Sequence, residues 1–328
     1  MQTYIVLIAC VVLLLCLFFR VPVYISVFAA ALTYFLFQTG SSPAIIAQRI
    51  GGGIQSIPLL AIPFFICAGI FMNSSGVTKR IMNFCNVVTK RMTGGLGQVN
   101  VLLSTLMGGL SGSNLADAAM EAKILVPEME EKGYSKEFSS VLTATSAMIT
   151  PLIPPGIGMI LYGSIANVSI GKLFVAGIGI GVLLCISLMI MVHFISKKRG
   201  YQPATKEKQD PEEVKSAVKQ AILPLCLPIL IIGGIRIGIV TPTEAGTVAI
   251  VYALILGIIY KELKMSDVVD GLKESVATTA SIMMIVGGAS AFAWVLTKER
   301  IPQQLTEVIT SNISNKYVFL IIVILFLL

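Results

Sequence analysis

The chain has 328 residues, of which 55% are hydrophobic and only 12% charged, with a formal net charge of +7. A soluble surface of ordinary polarity cannot be built from that composition, so the expected fold class is an all-α polytopic membrane protein whose solvent is the lipid bilayer. The basic residues lie in short stretches between apolar runs, where they act as topology signals, and this excludes nucleic acid as a partner.

In chain order, apolar runs at 3–19, 21–38, 57–74, 172–195, 222–238, 245–260 and 276–297 approach or reach the roughly 20 residues that cross a bilayer. No basic leader and no small-residue cleavage site accompanies the first run, so it reads as a retained span. Arg20-Val21-Pro22 separates the first two runs, either as a junction with proline in the first turn of a new helix or as a kink within one. Residues 77–92 carry Ile81, Phe84, Val87 and Val88 at helical spacing beside lysines and arginines, and 261–275 are similarly amphipathic. Both read either as helices lying in the membrane interface or as solvent-facing connectors. Cys10, Cys16, Cys67, Cys85, Cys185 and Cys226 stand singly in or beside apolar segments, without metal-ligand spacing, as small core hydrophobes do.

Charge sets the orientation. The stretch from Ser196 to Gln220 holds Lys197, Lys198, Arg199, Lys206, Lys208, Lys215 and Lys219 and reads as a cytoplasmic linker. Counting back through the run at 172–195 and a broken span at 138–167 returns 128–137 to the cytoplasm, together with Lys79, Arg80, Lys90 and Arg91. Residues 95–128 then begin and end on one side and are too long for a loop. The count therefore demands a re-entrant hairpin with Ser111 to Asn114 at its tip. Counting forward, 222–238 and 245–260 go out and back, and Tyr317 to Leu328 is an apolar run too short to span.

Polar, flexible backbone at bilayer depth survives only where protein buries it or a water-filled cavity solvates it. In Gly108-Gly109-Leu110-Ser111-Gly112-Ser113-Asn114-Leu115-Ala116-Asp117, hydroxyl, amide and carbonyl oxygens suit a hard, partly dehydrated cation such as sodium. The same small residues would also serve close helix packing, and Asn114 with Asp117 reads as a helix cap and first-turn acid. Thr150-Pro151-Leu152-Ile153-Pro154-Pro155-Gly156 interrupts the run at 138–167. Its prolines remove backbone donors and leave carbonyls that either ligate a cation or are satisfied by threonine hydroxyls. A hairpin tip followed by a broken helix repeats the way transporters build midplane sites. Thr241-Pro242-Thr243-Glu244 fits a capping box, while Glu244 is also a carboxylate in an apolar stretch with Arg236 within reach as a partner. Lys298, Glu299 and Arg300 close the run at 276–297, either as an interfacial charge cluster or, through Arg300, as a contact for a carboxylate.

Enzyme readings find little support. The single histidine, His193, has no metal-ligand spacing, and no Walker loop is present. A serine–lysine intramembrane hydrolase is the leading enzyme alternative, yet no lysine lies deep in a span near Ser111 or Ser113. The chain reads as a transporter and not as an enzyme.

The run at 109–119, Ile153-Pro154-Pro155-Gly156 with Met159 to Gly163, the stretch from Gly238 to Ala245, and Ser56 to Gly69 with Pro58 to Phe65 resemble a known family. It is the large membrane subunit of tripartite ATP-independent periplasmic (TRAP) transporters, and the resemblance runs through the whole chain. It implies a sodium-driven secondary importer in the bacterial inner membrane, with Na+ as the coupling ion. Its partners would be a small membrane subunit and a periplasmic substrate-binding protein that delivers small organic acids such as dicarboxylates or sialic acid. The implied fold is an elevator of inverted repeats, each with a re-entrant hairpin and a broken helix. Carried over by position, Ser111, Gly112, Ser113, Asn114, Thr150, Ile153 and Pro155 would form the first sodium site. Asp117, Thr243, Glu244 and Arg300 would line or support the substrate path. In those terms 1–75 are N-terminal spans, mainly scaffold; 76–94 an interfacial helix; 95–170 the hairpin and broken helix of the transport domain; 171–195 a span; 196–220 the linker; and 221–328 the start of a second repeat cut short. A related sodium/anion symporter working without a binding protein, or a channel, is the alternative.

Overall fold

The computed structural model describes residues 2–38, 42, 44–203, 210–312 and 315–327, and within them the regular elements are fifteen α-helices and two short 3-10 helices. In chain order the helices begin with α1 (Gln2–Phe18), α2 (Val23–Phe37), α3 (Ala44–Ile54), α4 (Ala61–Ser74) and α5 (Val77–Thr89). Next come α6 (Gly95–Ser111), α7 (Asn114–Glu131), α8 (Lys136–Ser146), α9 (Ile157–Ile165) and α10 (Ile170–Arg199). The remainder are α11 (Pro211–Ile237), α12 (Pro242–Tyr260), α13 (Met265–Lys298), α14 (Ile301–Asn312) and α15 (Lys316–Leu327). Among the described residues five helices are long and apolar enough to cross a membrane, or six if Lys136–Leu152 and Ile157–Ile165, bent by 45°, form one broken span. This is the all-α, multi-pass membrane architecture that the composition implies.

The chain divides into two compact units, Met1–Ser56 with Ala280–Leu328, and Ile57–Thr279. In the first, Val6, Ala9, Ala31, Tyr34, Phe35, Ile46, Ala291 and Val295 form one core. Phe35 stacks on Trp294 at a centroid distance of 5.5 Å, and the Tyr34 hydroxyl donates to Glu299. The junction at Arg20 is a true break between two helices, because Arg20 takes a left-handed φ of 60° and Pro22 is the N-cap of α2.

In the second unit α6 is central, packing against α4, α5, α7, α8, α10, α11 and the 3-10 helix Ala147–Leu152. Ile57–Ser74, which the sequence reading grouped with the N-terminal spans, belongs here because α4 packs along α12: a Cβ added at Gly246 would lie 2.8 Å from Phe64 Cβ.

Three further expectations change. Residues 261–275 are not a separate interfacial helix: nothing between 265 and 298 breaks the backbone, and α13 runs through as one helix of 34 residues. The linker is shorter than 196–220, since α10 continues through Lys197, Lys198 and Arg199 to a Gly200 C-cap, and α11 starts at an Asp210 N-cap with Pro211 in its first turn. Residues 204–209 of that linker lie outside the described residues. Most of the apolar face of α5 is buried in protein, with Val77, Ile81 and Cys85 fully enclosed, Val88 exposed and the helix packed on α6 and α11. Two basic residues of this stretch are tied down as well: Arg80 pairs with Glu262 at 2.9 Å and sits 3.6 Å over the Tyr260 ring, and Lys90, the C-cap, pairs with Glu213 at 2.8 Å.

Candidate functional site

The hairpin tip is built by a glycine turn. Helix α6 ends at Ser111, and Gly112 follows in the left-handed region at φ 62°, which glycine adopts without a Cβ penalty. That residue reverses the chain, so Ser113 falls into extended geometry and becomes the N-cap of α7, its Oγ accepting from Ala116 N at 3.4 Å. The sequence reading placed the cap one residue late, at Asn114. The turn consumes one residue fewer than that reading allowed, and Asn114 is the exposed first residue of α7. Asp117, in the first turn, is fully buried, and its Oδ2 accepts from Ser111 Oγ at 2.5 Å. Its Oδ1 has no donor in hydrogen-bonding geometry.

The broken helix meets this tip. After α8 the chain tightens into the 3-10 helix Ala147–Leu152, whose buried Thr150 donates from Oγ1 to the Ser104 carbonyl at 3.3 Å. Ile153 is extended, Pro154-Pro155 is a cis peptide, and α9 begins after Gly156. Glycines let the two segments close on each other. A Cβ built at Gly112 would lie 2.7 Å from the Pro155 carbonyl oxygen, one at Gly108 2.8 Å from the Thr150 carbonyl, and one at Gly69 of α4 2.9 Å from the Ser111 carbonyl. The Ile153 side chain lies against Gly108 and Gly181, between α6 and α10. Tip and break are thus packed together, with backbone carbonyls, hydroxyls and one buried carboxylate at their junction.

The expected substrate-path residues are placed differently from one another. Thr243 donates to the Ile57 carbonyl at 3.4 Å, joining the start of α12 to the turn before α4. Glu244 completes the capping box: its Oε2 accepts from Thr241 N at 2.7 Å while Glu244 N donates to Thr241 Oγ1 at 3.3 Å. Arg236 is exposed, and no ion pair joins it to Glu244 among the described residues. Arg300 belongs to the first unit, exposed and at a left-handed φ of 55° between α13 and α14. Thr241→Ala is expected to cost about 1 kcal/mol of stability through the lost cap, read as a lowered thermal midpoint of the purified protein.

Sequence reasoning missed the polar seam below the tip. Asn100 Nδ2 donates to Thr143 Oγ1 at 2.7 Å, Ser146 Oγ to Asn100 Oδ1 at 2.6 Å, and Ser104 Oγ reaches Glu121 Oε2 at 2.6 Å. Asn100, Ser104, Glu121 and Ser146 are all fully buried. The signal was spacing: 100, 104 and 111 fall on one face of α6, and 117 and 121 on one face of α7.

The donor set is oxygen throughout, which suits a hard cation, and among the described residues no group of three His, Cys, Asp or Glu side chains could hold a metal ion. A separate cavity of about 620 Å³, lined among others by Asn86, Lys90, Lys132, Arg199, Tyr201 and Glu213, includes none of the tip residues.

Residues 10–328 match the family described as the tripartite ATP-independent periplasmic transporter, DctM component. The chain belongs to this family. It is 41% identical over 313 residues to the sialic acid TRAP transporter large permease protein of Vibrio cholerae, covering 95% of this chain and 73% of that protein. It is 38% identical to the sialic acid TRAP transporter permease protein of Haemophilus influenzae, covering 96% of this chain and 51% of that one. The 2,3-diketo-L-gulonate TRAP transporter large permease protein of Escherichia coli is 35% identical, over 85% of this chain and 65% of its own length. The chain thus spans from about half to about three quarters of these TRAP relatives.

Proposed function

We propose that the chain acts as the large permease of a sodium-coupled TRAP importer for small organic acids in the bacterial inner membrane. A small membrane subunit and a periplasmic substrate-binding protein are its partners. Sodium is held between the hairpin tip and the broken helix, by oxygens drawn from Ser111, Gly112, Ser113, Asn114, Thr150, Ile153 and Pro155. Asp117, anchored by Ser111, contributes the nearby negative charge, and the hairpin and broken helix move as one body against a scaffold. Thr243 and Glu244 border the substrate path within their own unit, and Arg300, in the other unit, serves as a contact for a carboxylate.

The observation that carries this reading is the approach of the Gly112 turn to the Pro155 carbonyl, with a buried carboxylate one turn behind it. The two relatives named for sialic acid and the one named for diketogulonate make organic acids the first substrates to test.

Uptake of labelled sialic acid and of a panel of other carboxylates into proteoliposomes, with the complete transporter and its binding protein, tests the proposal. Accumulation is expected under an inward sodium gradient; equal accumulation with choline in place of sodium would sink the coupling. Ser113→Ala is expected to raise the sodium concentration for half-maximal uptake about tenfold, matching a lost ligand of roughly 1.4 kcal/mol. An unchanged sodium dependence would remove Ser113 from the site.

A further inference from the structure

Glu121 lies on α7 one turn after Asp117, fully buried, and among the described residues no cation pairs with it. An isolated carboxylate in such a place loses several kcal/mol of hydration, so it must take up either a cation or a proton. The neighbouring hydrogen bonds distinguish these. Ser104 Oγ has one proton and two oxygen neighbours, Glu121 Oε2 at 2.6 Å and the Asn100 carbonyl at 3.1 Å. Were Glu121 ionised, both neighbours would be acceptors competing for that single proton. With a proton on Oε2, the acid donates to Ser104 Oγ, Ser104 donates to the Asn100 carbonyl, and every oxygen in the chain has its role.

A metal ion fits less well. The other side-chain polar groups of the seam are committed to each other, Asn100 to Thr143 and Ser146 to Asn100. Glu121 Oε1 is left without a partner, a smaller cost for the carbonyl of a neutral acid than for half of a carboxylate. The titratable groups near Glu121 are Asp117 on its own helix, which acts on it, and the Cys85 thiol of α5, on which Glu121 acts. From α6, Ser104 faces it as a neutral hydroxyl, and Lys123, two residues along α7, is exposed.

We propose that Glu121 is a second ion-binding position of this unit and that the ion it holds is a proton, shared with Ser104. The proton comes from bulk water: carboxylate and hydronium give the neutral acid and water. Held this way, Glu121 keeps the seam between α6 and α7 free of a second negative charge beside Asp117. The inference stands whether or not sodium binds at the tip.

Infrared difference spectroscopy of the complete transporter in lipid at neutral pH tests it. The expected result is a carboxylic-acid C=O band, moved to lower wavenumber in D2O, present in the parent and in Asp117→Asn and lost in Glu121→Gln. Ser104→Ala, which removes the acceptor and leaves the acid, should move the same band to higher wavenumber, and it decides the matter should Glu121→Gln not fold. No such band in the parent, a band unmoved by Ser104→Ala, or one lost in Asp117→Asn and kept in Glu121→Gln would overturn the proposal.

Discussion

Gly112→Ala is expected to abolish sodium-dependent uptake while leaving a folded protein. A Cβ at φ 62° costs about 1–2 kcal/mol in backbone conformation. It would also lie 2.7 Å from the Pro155 carbonyl oxygen, so tip and break must separate. The control is Gly133, at φ 87° with nothing within 4 Å of an added Cβ. Gly133→Ala incurs the same kind of backbone cost without the collision. Both variants should lose stability, and only Gly112→Ala should lose transport; equal uptake in the two would mean that the closeness of tip and break is incidental.

The second large effect is a sign reversal for one substitution at two helical glycines. Gly108 lies in α6, where an added Cβ would be 2.8 Å from the Thr150 carbonyl and 2.9 Å from Thr150 Cα, both backbone atoms that cannot swing aside. Gly108→Ala is expected to destabilise by about 1–3 kcal/mol, the range for overpacking, and to lower uptake with it. Gly179 lies in α10 with nothing within 4 Å of its missing Cβ. There Gly179→Ala should stabilise by up to about 1 kcal/mol through helix propensity. Thermal unfolding of the two variants beside the parent measures both, and equal shifts would show that α6 does not press on the break.

What the sequence made legible was whatever local chemistry decides. The tip at Ser111 to Asn114 was readable because glycine and small polar residues interrupt an apolar run, and the break at Pro154-Pro155 because proline removes donors. The capping box at Thr241 and Glu244 has a fixed spacing and appears as expected. The cap at Ser113 was misplaced by one because the number of residues a left-handed glycine turn consumes depends on φ, which composition does not state. Helix length was misjudged where charge was taken for an ending: Lys197 to Arg199 are polar yet helical, and the separate helix expected over 261–275 runs on into the next apolar run as part of α13, since a long helix can carry charge beyond its apolar length. The seam of Asn100, Ser104, Glu121 and Ser146 was missed for a different reason. Helical spacing groups its members only within each helix, and their pairing across α6, α7 and α8 shows only when those helices are brought together.

The most direct test of the central claim is a density map of the complete transporter in sodium compared with one in choline. Density for one ion is expected in sodium alone, bounded by the Ser111–Asn114 turn and the Pro155 carbonyl. A tip that is identical in the two maps, or a sodium-dependent feature elsewhere with none at this turn, would contradict the assignment.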